Sequence, residues 1–364
     1  MATASEVLLH LSLIDGVGVS TLHTLIQHWS AHTWADFYSF SVADFNHAGV
    51  RSSISAKIVA GLACKKKLQQ ELMLIEKHRI TFCTVFDSIY PESLRSLHVP
   101  PPLLYWRGNL TMDTHTYIAC VGSRKATSYG ERIMQQWIPR LISHGITIVS
   151  GGAIGIDSMA HQETVRAGGT TIVVLGSGLL RPYPYMHIDL FEKVIASGGA
   201  VVSSFSLHTS AHQANFPARN RIISGLSDGV VVVQAAEKSG ARITAQYALE
   251  QGKDVFAVPG LMDDPLSVGC HRLIQEGAHL VTCASDLIAF YGLEQKQQII
   301  SSVQSYHDAQ SIEAIILTLC KQAQNSDALA AHTNRSLLDL QDILFSLQLD
   351  GLIVQDYTGM WKTV

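Results

Sequence analysis

The sequence predicts an α/β fold: a doubly wound, mostly parallel sheet, with a small helical domain before it and a smaller domain of helices and strands after it. Short apolar runs alternate with helical patterns between residues 115 and 285. Of the 364 residues, 47% are hydrophobic and 15% are charged, against about 25% charged residues in an average soluble domain. Parallel strands covered on both faces are continuously apolar, which accounts for this composition. The composition also excludes a disordered chain, and the length predicts two or three domains.

Seven short apolar runs predict the strands of the sheet, which we place in a Rossmann-like domain at residues 80–290. They are Tyr117–Val121, Ile146–Val149, Thr171–Leu175, Ala200–Ser203, Gly229–Gln234, Asp254–Val258 and His279–Thr282. A helical pattern from Gly130 to Ser143 follows the first run, and another passes through Met159 and Val165 after the second. β-rich runs that alternate with helical patterns indicate βαβ units and hence parallel strands.

Residues 1–75 predict a small helical domain. The segment Asp15–Gly18 interrupts an apolar stretch, which indicates helix, glycine turn and helix, with Ser20 or Thr21 able to cap the second helix. This arrangement resembles a helix-hairpin-helix, whose backbone N–H groups can hold a phosphate, although a plain αα-hairpin gives the same pattern. Pro91 and the run Pro100–Pro102 then mark a linker.

Residues 305–364 predict a second small domain, after a Gln- and Ser-rich linker at Glu294–Ala309. Helical patterns are followed by two short strand patterns near the end of the chain. The helical segments are Ser311–Cys320 and Thr333–Leu347, and the strands are Gly351–Val354 and Gly359–Val364. Helices followed by a β-hairpin predict a winged-helix-like module.

Glycine, serine and cationic residues gather in the loops after four of the predicted strands. The candidate binding residues there are Gly122, Ser123, Arg124, Lys125, Ser150, Gly151, Gly152, Gly155, Gly176, Ser177, Gly178, Ser239 and Gly240. Ligands of an open parallel sheet bind beyond the carboxyl ends of its strands. Glycine lets backbone N–H groups approach an anion, and the fork of Arg124 suits phosphate. Turns between strands and helices need glycine in any case, but four such loops with cations favour phosphate binding.

A second basic group lies between the fourth and fifth predicted strands. Its candidate residues are Phe216, Arg219, Asn220 and Arg221. Pro217 suits the first turn of a helix, which places both arginines near the helix N-terminus. The arginines could hold a phosphodiester while Phe216 stacks on a base. Equally, Arg219 could pair with Asp157 or Glu237 and Phe216 could belong to the core; the sequence leaves both interpretations open.

Several ligands and locations are disfavoured by what the sequence lacks. The first predicted strand is not followed by GxGxxG with a partner acid, and no GxxxxGK[ST] occurs, which disfavours NAD, FAD and Walker-type ATP hydrolysis. We predict no cofactor and no metal, because no HExxH or His/Cys cluster occurs. The six scattered cysteines are expected to be buried free thiols. The apolar runs fall far short of the ~18 residues of a membrane span, and with no signal peptide we expect a cytoplasmic protein.

A series of motifs in this order resembles the DNA-processing protein A family (DprA/Smf). The motifs are Val121–Gly130, Val149–Asp157, Val174–Gly178, Phe216–Ile223, Ser239–Ala245 with Ala248–Gly252, and Val258–Gly260. The resemblance covers roughly residues 80–290, and the flanking modules also fit the family. It implies an extended Rossmann fold, a homodimer and no enzymatic activity, so no catalytic residue is predicted.

The resemblance further implies a single-stranded-DNA-binding protein of natural transformation. Such proteins protect incoming DNA, displace single-strand-binding protein and load the recombinase RecA. The family's DNA-contacting arginine falls on Arg124, and its basic pocket falls on Arg219 and Arg221. Ile154 and Ala218 stand where the family is usually basic, which implies a less basic pocket, and His271 stands where asparagine is usual.

Two other classes of function remain open at this stage. One is a nucleotide-processing hydrolase that acts on nucleoside monophosphates, for which Asp157 or Glu237 would serve as general acid or base. Against it, Asp157 starts a helix, where it has an adequate structural role. The other is an interaction scaffold whose phosphate-binding face has lost its role.

The net charge of −4 resides in the last part of the sequence. Residues 1–109 carry nine Lys and Arg against eight Asp and Glu, residues 110–290 carry 13 against 14, and residues 291–364 carry four against eight. The C-terminal module is therefore predicted to meet protein rather than DNA. The central domain is almost neutral, yet its strand-end loops concentrate Arg124, Lys125, Arg219, Arg221 and Arg242.

Overall fold

The computed structural model divides the chain into two compact units, Met1–Ala284 and Ser285–Val364, which are described separately. The residues that the structure describes are 3–29, 31–112, 116–293, 312–333, 335–349, 352–356 and 359–363. The linker predicted at Glu294–Ala309 lies outside them. The three domains expected from sequence stay a prediction.

The first unit begins with short helices. They are α1 (Ala4–Ser12), α2 (Val19–His28), a 3-10 segment (Ala31–Ser39), α3 (Val42–His47), α4 (Ser52–Leu62) and α5 (Lys66–Lys77). The predicted glycine turn separates α1 from α2, with Gly16 at φ +91°. The capping prediction was wrong: α2 begins at Val19 with Gly18 as its N-cap, so Ser20 and Thr21 lie inside the helix.

One sheet runs through the first unit, and within the described residues it contains nine strands. They are β1 (Thr81–Thr84), β2 (Leu103–Gly108), β3 (Thr116–Val121), β4 (Ile146–Ser150), β5 (Thr171–Val174), β6 (Ala200–Ser203), β7 (Gly229–Val232), β8 (Asp254–Ala257) and β9 (His279–Leu280). Their order is β1-β2-β6-β5-β4-β3-β7-β8-β9. The strands from β6 to β9 in this order are parallel, whereas β2 pairs antiparallel with both β6 and β1.

Helices cover both faces of the sheet. They are α6 (Glu92–Arg95), α7 (Ser128–Ser143), α8 (Ile156–Arg166), α9 (Ile188–Ala196), α10 (Asn215–Gly225), α11 (Gly240–Glu250) and α12 (Val268–Gln275). The next helix along the chain, α13 (Ala284–Phe290), belongs to the second unit from Ser285 onward. Alternate residues of β5 enter different hydrophobic clusters, Ile172 and Val174 on one face and Val173 on the other. The α/β prediction with a doubly wound, mostly parallel sheet is confirmed. The antiparallel strands β1 and β2 were not predicted.

The chain order creates a switch point beside β3. From β3 the chain adds β4, β5 and β6 on one side, and then returns to place β7 on the other side of β3. A crevice opens at the carboxyl ends of the strands where the order reverses, and open α/β sheets bind ligands there. The loops after β3, β4 and β7 therefore meet at this crevice.

The second unit contains helices followed by a hairpin. The elements are α14 (Ile312–Leu319), α15 (Ser326–Thr333), α16 (Leu337–Leu349), β10 (Ile353–Gln355) and β11 (Trp361–Thr363). β10 and β11 pair antiparallel, and Ile316, Leu329, Leu344 and Trp361 belong to one buried cluster. The predicted helices and hairpin are present, α15 was not predicted, and the winged-helix assignment stays a prediction.

The cysteines differ in part from the expectation. Cys83, Cys120, Cys270 and Cys320 are buried free thiols as predicted, whereas Cys64 and Cys283 are exposed. Both exposed cysteines lie in short turns next to helix ends, where side chains face solvent. Among the described residues, no helix is both long and apolar enough to cross a membrane.

Candidate functional site

The predicted site residues converge only in part, around a cavity of about 520 Å³ at the switch point. Of the predicted residues, those lining it are Gly122, Ser123, Arg124, Lys125, Phe216, Arg219, Asn220, Ser239 and Gly240. A smaller adjoining cavity is lined by Gly151, Ile154, Tyr183 and Pro184 together with Arg124, Phe216 and Arg219. Loops from separate strands thus share one site, as the sheet topology requires.

The rim of this site, which we define as Arg124, Lys125 and Phe216, faces solvent. Arg124 and Lys125 are exposed and Phe216 is half-buried. The Arg124 guanidinium carbon lies 5.3 Å from the centre of the Phe216 ring. In the part of the chain that the structure describes, neither Arg124 nor Lys125 forms an ion pair. The rim therefore offers two cations and one aromatic face to a ligand.

The floor of the site, which we define as Arg219, Asp157 and Gly151, is buried. The Arg219 side chain donates hydrogen bonds to the carbonyl oxygens of Gly151 and Val174, the latter at 2.8 Å, and its Nε donates to Asn220 Oδ1 at 3.0 Å. A carboxylate oxygen of Asp157 accepts the N–H of Gly151 at 3.2 Å. Arg219 thus ties α10 to the carboxyl ends of β4 and β5.

Opposite charges stabilise this buried floor. Burial lowers the pKa of Arg219 to about 10, and Asp157 partly offsets the effect. Burial also raises the pKa of Asp157, and the nearby Arg219 opposes that rise. Arg219 stays charged at neutral pH. Of the two interpretations left open by the sequence, Arg219 interacts with Asp157, whereas Phe216 contributes to the rim and not to the core.

Glycine lets neighbouring loops touch at this site. Gly155 has φ +90°, and a side chain there would collide with the carbonyl oxygen of Ser123 in the loop after β3. A Cβ at Gly176 would lie 2.9 Å from the Phe216 ring. These glycines therefore set loop-to-loop and loop-to-ring distances, and they fix the position of Phe216.

Other predicted site residues lie within the loop packing and not on the cavity. Ser150 Oγ donates to the Cys120 carbonyl at 2.6 Å, and the carbonyl of Gly152 bonds to His187 Nδ1 at 2.9 Å. Ser177 is fully buried, and a side chain at Gly178 would collide with the Ser206 carbonyl. A ligand role for these residues and for Gly155 and Gly176 stays a prediction.

The structure does not bring Arg221 together with Arg219. Side chains two positions apart along a helix point about 200° away from each other, so those of Arg219 and Arg221 leave opposite faces of α10. The Arg221 guanidinium lies 5.9 Å from the Tyr247 ring, away from the cavity. Arg242, the other strand-end arginine, pairs with Glu276 at 3.0 Å. The cationic character of the site therefore comes from Arg124, Lys125 and the buried Arg219.

A lysine and a tyrosine are among the residues that line the two cavities without having been predicted. Lys238 lines the larger cavity and is exposed; it was visible as a cation in the loop after β7. Tyr183 lines the smaller cavity, and its ring centre lies 6.1 Å from that of Phe216. Its signal was the run of proline and tyrosine at residues 182–185 in the loop after β5.

The three residues that depart from the family pattern lie in different surroundings. Ile154 is 44% exposed beside the smaller cavity, and Ala218 is exposed on α10. His271 Nε2 lies 3.1 Å from the carbonyl oxygen of Gly260, within hydrogen-bonding distance. Ile154 therefore makes part of the site border apolar, whereas His271 fixes a loop.

The fold and the site together define a Rossmann-like α/β protein whose strand ends carry exposed cations beside an aromatic ring. Residues 81–292 match the family model of DNA recombination-mediator protein A. The match covers more than half of the chain, and the chain belongs to this family. The resemblance found in the sequence is confirmed.

Individual relatives agree with the family match. Protein Smf of Escherichia coli is 41% identical over 224 residues, which are 62% of this chain and 60% of that protein. DNA processing protein DprA of Streptococcus pneumoniae is 42% identical over 206 residues, which are 57% of this chain and 72% of that protein. The alignment therefore leaves about two fifths of the Escherichia coli relative unmatched.

Solved structures show the same fold. DNA processing protein A of Streptococcus pneumoniae aligns with a TM-score of 0.67 at 32% identity, over 77% of this chain and 95% of that one. DNA processing protein A of Helicobacter pylori aligns with a TM-score of 0.53 at 27% identity, over 58% of this chain and 95% of that one. The latter structure is described as giving insight into a unique single-stranded DNA binding mode.

Proposed function

We propose that this protein binds single-stranded DNA across the strand-end site. The observation that carries the proposal is the exposed Arg124 guanidinium 5.3 Å from the half-buried ring of Phe216. Proteins that bind single strands combine cations along the phosphate backbone with aromatic rings on which bases stack. Lys125 and Lys238 add further cations to the lining of the cavity.

Family membership supports a wider role that builds on the binding of single-stranded DNA. We infer that the protein protects incoming single-stranded DNA in the cytoplasm during natural transformation and homologous recombination, and loads RecA onto it. RecA and single-strand-binding protein are its expected partners, and it is expected to act as a homodimer. The family description as a recombination mediator and the single-stranded DNA binding described for the Helicobacter pylori relative support this role.

The site favours binding over the alternative of nucleoside monophosphate hydrolysis. Among the described residues that line the main cavity, Asp157 is the sole carboxylate. One carboxylate oxygen of Asp157 already accepts a hydrogen bond from the N–H of Gly151, and the residue is only 7% exposed. General acid–base catalysis needs a carboxyl group within reach of the substrate. We therefore assign no catalytic residue, and release of base from nucleoside monophosphates would contradict this assignment.

The decisive experiment is a filter-binding titration with oligo(dT) over a range of salt concentrations. Because Arg124 is exposed and forms no ion pair with any described residue, Arg124→Ala is expected to weaken binding about tenfold. Loss of one phosphate contact should also make the slope of log K against log salt shallower by about 0.7. The matched control is Arg140→Ala, an exposed arginine near the far end of α7.

Two outcomes would contradict the proposal. One is the absence of oligo(dT) binding by the wild-type protein at low salt. The other is equal binding by Arg124→Ala and Arg140→Ala, since the cation of the rim would then contribute nothing.

A further inference from the structure

Large apolar side chains are exposed next to the rim, on the turn that precedes α9. Tyr183 is 41% exposed, Tyr185 61% and Met186 72%. Ile154, which is 44% exposed, borders the same smaller cavity as Tyr183. An exposed apolar cluster beside a cationic site marks a binding surface.

This turn is firmly held. The N–H of His187 donates to the carbonyl oxygen of Pro184 at 3.0 Å, and His187 Nδ1 lies 2.9 Å from the carbonyl oxygen of Gly152. The His187 ring also contacts the Phe191 ring of α9 edge-on, with centres 6.2 Å apart. The turn is therefore anchored to the loop after β4, and Tyr185 and Met186 project from a fixed base.

The cluster continues the rim. The Tyr183 ring centre lies 6.1 Å from that of Phe216, at an interplanar angle of 50°. Arg124 lines the smaller cavity together with Tyr183 and Ile154. Arg181, two residues before Tyr183, is exposed, and no ion pair to it occurs within the described ranges. Tyr183 therefore extends the aromatic surface of the rim, and Tyr185 and Met186 follow it along the same turn.

From this arrangement we infer that Tyr183, Tyr185 and Met186 form a platform on which a DNA strand lays its bases after it leaves the cavity. The inference rests on the proposed single-stranded DNA binding. Bases of a single strand are unpaired and have exposed faces, whereas bases in a duplex are stacked on each other and leave no face for a side chain. The platform therefore selects single strands and lengthens the bound segment.

The platform also explains the apolar Ile154 at the site border. A strand held by stacking gains affinity without releasing counterions, since only phosphate contacts contribute to the salt dependence. Lengthening the oligonucleotide onto the platform should therefore raise the affinity and leave the slope of log K against log salt nearly unchanged. If lysines lined the border instead, a longer oligonucleotide would raise the affinity and steepen that slope together.

The test compares oligo(dT) from about 4 to about 16 nucleotides, the range of known single-strand sites. Tyr185→Ala and Met186→Ala are titrated beside Met73→Ala, a control at another exposed methionine (67% exposed) on α5. Tyr185→Ala is expected to weaken binding of the longest oligonucleotide roughly tenfold, to leave the shortest unchanged and to keep the salt slope. Tyr185→Lys is expected to steepen the slope by about 0.7.

A second measurement locates the bases directly. Oligo(dT) carrying 5-iodouracil at successive positions is irradiated in complex with the wild-type protein, and the cross-linked peptide is identified by mass spectrometry. We expect a cross-link within the peptide that contains Tyr183 and Tyr185. Cross-links elsewhere on the protein, with none at this turn, would overturn the platform.

The outcomes separate the platform from the proposed function. If Tyr185→Ala and Met186→Ala bind every length as Met73→Ala does, while Arg124→Ala is weakened, the platform is wrong and the proposed function stands. If the two platform variants change sedimentation and not DNA binding, the surface contacts protein and the platform is again wrong. If the wild-type protein binds no oligonucleotide, the proposed function itself fails.

Discussion

The rim and the floor of the strand-end site use the same residue type in opposite ways. Arg124 and Arg219 both lie near the Phe216 ring, at 5.3 Å and 5.7 Å. Arg124 is exposed and unpaired within the described residues, whereas Arg219 is 5% exposed and its hydrogen bonds hold the loops after β4 and β5. The floor therefore builds the site and the rim is available to the ligand.

The largest expected effect concerns the floor. Arg219→Met removes a buried charge, leaves Asp157 without its counter-charge and leaves two strand-end carbonyls without a donor. We expect the free energy of unfolding to fall by about 2–4 kcal/mol, because the carbonyl oxygens of Gly151 and Val174 lose a buried, charged donor. Urea denaturation followed by circular dichroism measures it. Arg221→Met, the same substitution on the opposite face of α10, is the control.

If Arg219→Met and Arg221→Met unfold at the same urea concentration, Arg219 does not hold the loops together. The distinction between floor and rim would then lose its basis. If Arg219→Met is destabilised as expected, any loss of DNA affinity in this variant reflects a disrupted site and not a lost phosphate contact.

A further prediction concerns the pH dependence of stability that arises at His161. His161 is fully buried, with Nδ1 2.7 Å from Thr171 Oγ1. Burial, and to a smaller extent His187 and Arg219, lowers the pKa of His161 to about 3. Its contribution to stability is therefore complete above its ordinary pKa of 6.5, and is lost as the pH falls from there towards 3.

Urea titrations between neutral and acid pH compare the wild type with His161→Gln, which keeps polarity and cannot titrate. Below the ordinary pKa, the wild type should lose up to about 1.4 kcal/mol per pH unit more than the variant. Asp157 has a raised pKa and acts in the opposite direction, but it is present in both proteins and cancels. Parallel pH profiles would show that His161 is not buried as a neutral group.

The smallest expected effect concerns the stability of the rim. Arg124→Ala should change the free energy of unfolding by no more than about 0.5 kcal/mol, because this exposed side chain forms no ion pair with the described residues and touches only the solvent-facing Phe216 ring. The same denaturation experiment measures it, beside the loss of DNA affinity expected above. A destabilisation comparable to that of Arg219→Met would place Arg124 in the floor.

The fold was largely predictable from sequence because most of the parallel strands are short apolar runs that end at a turn. The antiparallel strands were not. Thr81–Thr84 is not a continuous apolar run, although its threonines favour strands, and Leu103–Gly108 directly follows the prolines that indicate a linker. Pairing between distant segments, which makes these residues strands, leaves no local pattern in the sequence.

The location of the site was predictable, but the role of each residue was not. Parallel strands bring their carboxyl ends together, so the gathering of Gly122, Arg124 and Gly151 follows from topology. The depth of each arginine depends on helix phase and loop packing. Arg219 and Arg221 are two residues apart and leave α10 in opposite directions, a difference that a string of basic letters does not reveal.

The shared hydrophobic cluster of the first unit has a consequence for cooperativity. Leu8 and Leu11 of α1 belong to the same buried cluster as Leu104 and Trp106 of β2. The N-terminal helices therefore cover the antiparallel border of the sheet, which would otherwise expose these large side chains to water. A common core thus spans the domain boundary that the linker prolines indicate in the sequence. A truncation of Leu8 that leaves a cavity is therefore expected to destabilise the sheet as well as the N-terminal helices.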